Sequence, residues 1–198
     1  MSILQAPVNI MNTRVAKFRQ QFQSHATTQR RMEVPAKTIL LNEGQISHNY
    51  YFIEKGAIRA WFNNKGRDIT FQFFFEGEGL ASAESFRYGT PSKVTIETME
   101  PSVIQVLHKE DYQKIMQEME HDPAFLKEMI DVMFERQLNY MNHFMSFIRD
   151  TPKERYLHLL KENPALLQRV PQHYIASYLG ITAVSLSRIR NSILRQKK

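Results

Sequence analysis

The residues with the clearest chemical potential gather near the end of the chain. Gln172, His173, Thr182, Ala183, Val184, Ser185, Arg188, Arg190 and Asn191 combine amide, hydroxyl and guanidinium groups with side chains of little bulk. Such a set suits phosphate oxygens and the exposed edges of base pairs. No comparable set suits catalysis. The seven histidines, His25, His48, His108, His121, His143, His158 and His173, fall in no close pair of metal-ligand spacing. There is no Gly-rich phosphate loop and no nucleophile elbow, and Ser82 beside Glu84 is a pairing that any loop of this composition offers. Zero cysteines exclude disulfides, iron–sulfur clusters and thiol switches. Neither a metal site nor an enzymatic activity is expected.

The elements that must hold the terminal set are legible in the same stretch. Ile175, Ala176 and Leu179 repeat at helical spacing, so Pro171 to Leu179 reads as a short helix with Pro171 in its first turn. Gly180 supplies the left-handed residue that ends it, and Ile181 plugs the corner. Thr182 is an N-cap for a second helix. That helix buries Val184 or Leu186 together with Ile189 and Ile193, leaving Ala183, Ser185, Ser187, Arg188 and Asn191 on other faces. Helix, glycine turn and capped basic helix make a helix-turn-helix, whose second helix enters the major groove of DNA. The alternative is an ordinary helical hairpin closing a core.

Charge distribution agrees with the first reading. Residues 149–198 hold ten Lys and Arg against three acids, a net +7, whereas residues 1–148 hold 16 against 17, a net −1. A basic terminal domain beside a neutral one is the footprint of phosphate-backbone binding. The chain is 42% hydrophobic and 23% charged, an ordinary globular balance. It has no apolar run of about 18 residues to span a membrane, and its N-terminus lacks the pattern of a secretion signal. A cytoplasmic setting is expected.

Upstream, residues 1–33 offer a helix around residues 9–24. Short β segments follow: Thr38 to Leu41, Tyr50 to Glu54, Ala57 to Phe62 and Asp68 to Phe75, each closed by a Gly- or Asn-containing turn. Lys93 to Met99 and Ser102 to Leu107 are expected to pair across Glu100 and Pro101. Strands at this spacing indicate an antiparallel barrel or sandwich. The aromatic cluster Phe71, Phe73, Phe74 and Phe75, with Trp61 and Phe62, is read as core; a stacking platform for single-stranded nucleic acid is the sharper alternative. Between strands, the small residues from Gly79 to Ser92 either let backbone approach a ligand or form a plain connection. Ser82, Glu84, Ser92 and Lys93 are the ligand candidates there.

Residues 109–148 are helical, with Asp122 as N-cap and Pro123 at the first position of a long helix. One apolar stripe runs through Leu126, Ile130, Met133, Gln137, Tyr140, Phe144 and Phe147, and a second through Phe134, Leu138, Met141, Met145 and Ile148. One stripe docks a helix on its own domain and a second needs another partner. The three-four spacing is that of a two-helix seam. Leu126, Ile130, Met133, Gln137, Tyr140 and Phe144 are therefore expected to form a homodimer interface, the alternative being a helix enclosed within one monomer. After Asp150 to Pro152, an amphipathic helix from Lys153 to Lys161 turns Tyr156, Leu157 and Leu160 inward, and Asn163-Pro164 interrupts before the helix-turn-helix. The expected domains are residues 1–120, 121–149 and 150–198.

In this order the chain resembles the Crp/Fnr family, bacterial regulators related to the cyclic-AMP receptor protein. The resemblance rests on Glu54 to Arg59, on Ile175 to Thr182, and on Ser187-Arg188-Ile189. It implies an α+β fold: an N-terminal double-stranded β-helix, or jelly roll, of the cyclic-nucleotide-binding kind, a long dimerisation helix, and a C-terminal helix-turn-helix. It also implies a homodimeric transcription regulator that binds double-stranded DNA, with RNA polymerase as a further candidate partner. The family's nucleotide cassette has Gly-Glu-Leu and then an Arg followed by Ser or Thr. Here Ala81-Ser82 and Ser92-Lys93 stand in those places. A serine cannot replace a guanidinium that grips a phosphate through paired charged hydrogen bonds, and strand alternation aims Lys93 away from position 92. Cyclic AMP is therefore not the expected effector; another small molecule or none is. In the recognition helix, Ala183 and Val184 replace an arginine and a glutamate of the family, which leaves them for thymine methyls and Arg188 for a guanine edge. The β-hairpin wing that many members carry after this helix is not expected from these residues. A small-molecule-binding or scaffolding module that no longer reads DNA is the competing function.

Overall fold

The computed structural model describes residues 30–196; the helix expected around residues 9–24 lies outside them. Among the described residues, eight strands form two antiparallel four-stranded sheets. One has the order β1 (Arg30–Val34), β8 (Ser102–His108), β3 (Asn49–Lys55), β6 (Gly79–Leu80). The other has the order β2 (Ile39–Leu41), β7 (Thr95–Thr98), β4 (Ile58–Asn64), β5 (Arg67–Phe74). Alternate residues of both sheets fill the space between them. Ile53, Leu80 and Ile104 from the first sheet meet Ile58, Ala60, Phe74 and Ile96 from the second, all buried. Successive side chains of a strand point to opposite faces, so Arg59 and Trp61 leave the core on the outer side of β4.

The expected hairpin between Lys93 to Met99 and Ser102 to Leu107 does not form. β7 lies between β2 and β4, while β8 lies between β1 and β3 in the other sheet. Glu100 and Pro101 carry the chain across the roll instead of closing a turn. Pairing β7 with β8 would strip two central strands from their ladders, and the unpaired N–H and C=O groups that would leave are costly. Local turn chemistry loses to the non-local ladder. Gly56, in the turn after β3, is fixed by the same crossing: its φ is +101°, and a Cβ there would lie 2.8 Å from Ser102 Cα.

Helix α1 (Ala83–Tyr88) follows β6, and α2 (Lys109–Glu118) follows β8. The long helix α3 (Pro123–Arg149) starts as expected: the Asp122 carboxylate accepts from the Ala124 and Phe125 N–H groups, and Pro123 takes the first turn. Phe125, Ile115 and Met119 pack on Phe52 and Leu107, which fastens α2 and the start of α3 to the first sheet.

The terminal domain has four helices: α4 (Pro152–Glu162), α5 (Pro164–Arg169), α6 (Gln172–Tyr178) and α7 (Ala183–Gln196). Thr151 and Glu154 form a capping box at the start of α4. Tyr156 and Leu159 of α4 are buried, whereas Leu157, expected inward, is exposed. The i, i+3 pair Tyr156 and Leu159 meets the core formed by α5 and α6, and Leu157 points away from it. Helix α5 is the element that the interruption at Asn163-Pro164 conceals: Pro164 opens a helix there and Leu166 is buried beneath it.

Candidate nucleic-acid interface and sensor cassette

Gly180 has φ +68°, and the Ile181 N–H donates to the Ala176 carbonyl at 2.9 Å, which closes the turn after α6. The Thr182 hydroxyl accepts from the Ser185 N–H at 3.1 Å and lies 2.9 Å from the Ser185 hydroxyl. Leu186 is 1% exposed and forms one core with Ile175, Ala176, Leu179, Tyr156 and Val170. Of the two residues that spacing left open, Leu186 is therefore the inward one, and Val184 is exposed. With Leu186, Ile189 and Ile193 turned to the core, one open face of α7 carries Ala183, Val184, Ser187, Arg188 and Asn191. Thr182 precedes it, also exposed, while Ser185 and Arg190 are half-buried along its sides. Gln172 and His173 are exposed at the start of α6. The nine residues singled out from the sequence are all exposed or half-buried, and Leu194, further along α7, is an exposed apolar side chain as well.

The long helix divides differently from the expected stripes. Leu126 packs on the cluster around Phe125, and the Tyr140 ring lies 5.4 Å from Phe71 of β5. Both belong to the face that the chain covers itself. Ile130, Met133, Gln137 and Phe144 are exposed, together with Phe134, Met141, Met145 and Ile148. The continuous exposed line runs Ile130, Phe134, Gln137, Met141, Phe144, Ile148, spaced four, three, four, three, four. It mixes members of both expected stripes, because the chain's own β-roll covers Leu126 and Tyr140 of the first. Phe147 faces the terminal domain, with the Arg155 guanidinium 4.6 Å from its ring centre.

In the cassette, the four ligand candidates pair with one another. Ser92 and Ser82 are buried, with hydroxyl oxygens 2.9 Å apart. The Ser92 hydroxyl also reaches the Val94 carbonyl at 2.7 Å. With its one proton on that carbonyl, it accepts from Ser82. Lys93 and Glu84 form an exposed ion pair at 2.7 Å. Arg136 of α3 donates to the Gly79 carbonyl at 3.1 Å, which joins the long helix to β6 just before the cassette. Nearby, burial raises the Glu78 carboxyl above its ordinary range, although it accepts from the Phe75 N–H and has Arg136 close by.

Two contact regions were not visible in the sequence reading. Arg59 is 2% exposed and donates to Glu97 at 2.6 and 2.9 Å. Its guanidinium carbon lies 3.7 Å from the ring centre of Tyr174 in α6. Arg169 reaches Glu76 at 2.7 and 2.8 Å and also pairs with Glu100. Burial works against the Glu76 charge, but Arg169 and the Gly56 N–H hold its carboxyl below the ordinary range. Strand alternation did carry one signal: Arg59 and Glu97 both fall opposite core residues, at paired positions of adjacent strands.

Among known proteins, the family model for the cyclic nucleotide-binding domain matches residues 31–119. No curated protein sequence matches the chain. Among solved structures, the c-di-GMP responsive global regulator CLP of Xanthomonas campestris is 18% identical, with a TM-score of 0.70 over 92% of this chain and 93% of its own. FixK2 of Bradyrhizobium japonicum is 16% identical, with a TM-score of 0.72 over 86% of each chain. A protein of Eubacterium rectale described as a transcriptional regulator of the Crp/Fnr family is 17% identical, with a TM-score of 0.68 over 91% of this chain and 83% of that one. Residues 31–119 thus resemble a cyclic nucleotide-binding domain, and the chain as a whole shares the α+β fold of these solved structures. No helix among the described residues is long and apolar enough to cross a membrane.

Proposed function

We propose that the protein is a homodimeric, sequence-specific DNA-binding transcription regulator of the cytoplasm that does not respond to cyclic AMP. The observation that carries this is the open face of α7, where Ala183, Val184, Arg188 and Asn191 are exposed while Leu186 anchors the helix from behind. The net +7 of residues 149–198 supplies the field for phosphate contacts. Two copies joined along the exposed stripe of α3 would present two such helices to half-sites about 34 Å apart. Arg188 is the base reader of this scheme, with Ala183 and Val184 against thymine methyls.

Cyclic AMP is a poor chemical match for the cassette. A cyclic phosphate needs a charged fork, and position 92 offers a hydroxyl already committed to Ser82 and Val94. The Xanthomonas regulator is described as c-di-GMP responsive, so this fold accommodates effectors other than cyclic AMP. Binding to a palindromic library, followed across a salt series, tests the proposal. A dimer making six phosphate contacts gives a log–log slope of about −5, from about −0.9 per contact. Absence of selective, salt-sensitive binding would return the protein to the small-molecule or scaffolding class.

A further inference from the structure

The helix-turn-helix is seated on the outer face of the second sheet, and the seat is built around a buried charge. Arg59 and Glu97 face each other across β4 and β7 on the side away from the roll's own core. A guanidinium at that place would ordinarily meet water. Here Tyr174 of α6 lies flat on it at 3.7 Å, and Trp61 lies on another side at 4.8 Å. Phe73 of β5 goes further still and belongs to the hydrophobic core of the terminal domain, 5.1 Å from the Tyr178 ring.

The rim of the seat is polar and specific. β5 is the edge strand of its sheet, and an edge leaves backbone groups without strand partners. Ser177 supplies one: its hydroxyl accepts from the Thr70 N–H at 2.8 Å and donates to the Asp68 carbonyl at 2.7 Å. On the opposite side, Arg169 grips Glu76 and Glu100. The open face of α7 remains outward throughout, so seating and reading are compatible.

From this geometry we infer that Arg59 is a positioning residue for DNA reading: by seating Tyr174 it fixes α6 on the β-roll and thereby sets where the recognition helix stands. The inference rests on the function proposed above. Each head of the dimer is then held by its own roll as well as by α3, so the distance between heads is a fixed property of the dimer. A buried pair replaced on both sides by apolar groups of similar volume leaves a foldable protein, whereas removing one partner strands a charge; Asp68, 3.6 Å from the Arg59 guanidinium, is half-exposed and stays hydrated without it. The test variant is therefore Arg59→Met with Glu97→Leu, with Ser177, which accepts from the Thr70 N–H, left intact.

Two readouts decide it in the full-length protein. The first is hydrogen exchange at the Thr70 amide, which reports opening of the seat. It should quicken by about tenfold in the double variant, while amides of the terminal core keep their protection. The second is binding to palindromes whose half-sites are moved apart by one to three base pairs. Wild type should lose affinity steeply with displacement, and the double variant should tolerate it while binding the native spacing more weakly. Unchanged Thr70 exchange in a folded double variant, or unchanged spacing tolerance, would overturn the inference. Should wild type bind no duplex at all, the DNA-reading function fails, and faster Thr70 exchange in the variant would still uphold the seat.

Discussion

The hydroxyl oxygens of Ser82 and Ser92 lie 2.9 Å apart in the interior of the cassette, each satisfying the other. A ligand entering there must break this pair and find no cation at position 92, since Lys93 is turned outward to Glu84. Cyclic AMP is accordingly predicted to leave the melting temperature unchanged. A ligand present at 100 times its dissociation constant would add about 2.7 kcal/mol, a shift of several degrees for a chain of this size. Thermal unfolding with and without the nucleotide measures this directly.

Dimerisation should depend on the exposed line of α3 and not on its covered face. Phe144→Glu is expected to give a monomer in sedimentation, because each lost phenyl burial costs about 1.5–3 kcal/mol and two-fold symmetry counts it twice. Leu126→Ala should lower stability yet leave the dimer intact, as Leu126 packs within its own chain. A monomeric Leu126→Ala variant with a dimeric Phe144→Glu would place the seam on the other face.

Leu186→Ala should destabilise the terminal domain by about 2–5 kcal/mol, the cost of a cavity at a fully buried leucine. Val184→Ala, at an exposed position of the same helix, should change stability by less than about 0.5 kcal/mol. Denaturant melts of the two variants provide the comparison.

Acid should weaken the junction between α3 and the terminal domain. The His143 ring is stacked on Tyr178 at 4.3 Å, and burial, with Arg155 nearby, holds it below the ordinary imidazole value of 6.5. The unfolded chain therefore binds this proton more readily than the folded one. The stabilising difference is complete above pH 6.5 and is lost as pH falls through the lower folded value. His143→Gln should flatten that part of the stability profile, whereas an identical acid slope in wild type and variant would rule out His143 as its source.

Those parts of the fold set by local spacing were readable from the residues. Gly180, Thr182 and the Ile175, Ala176, Leu179 repeat place the helix-turn-helix where it is found, and Asp122-Pro123 opens α3 as expected. What the residues concealed was non-local. The pairing of β7 and β8 with different sheets depends on strands far away in sequence, which no turn between them can announce. The covered side of α3 depends on Phe71 meeting Tyr140. The seat of Arg59 depends on Tyr174, more than a hundred positions later, so a motif read as a marker of the roll also holds the head. In the cassette, the residues placed Ser82, Ser92 and Lys93 in one stretch, but the hydrogen bond between the two serines needed coordinates.

The central claim is that the open face of α7 reads base pairs, and the ratio of specific to non-specific duplex affinity in wild type and Arg188→Ala tests it most directly. Wild type should prefer its selected palindrome strongly over random duplex. Arg188→Ala should lose about 1–3 kcal/mol of that preference for each half-site while sedimenting as the same dimer. An undiminished ratio in the variant would contradict the account.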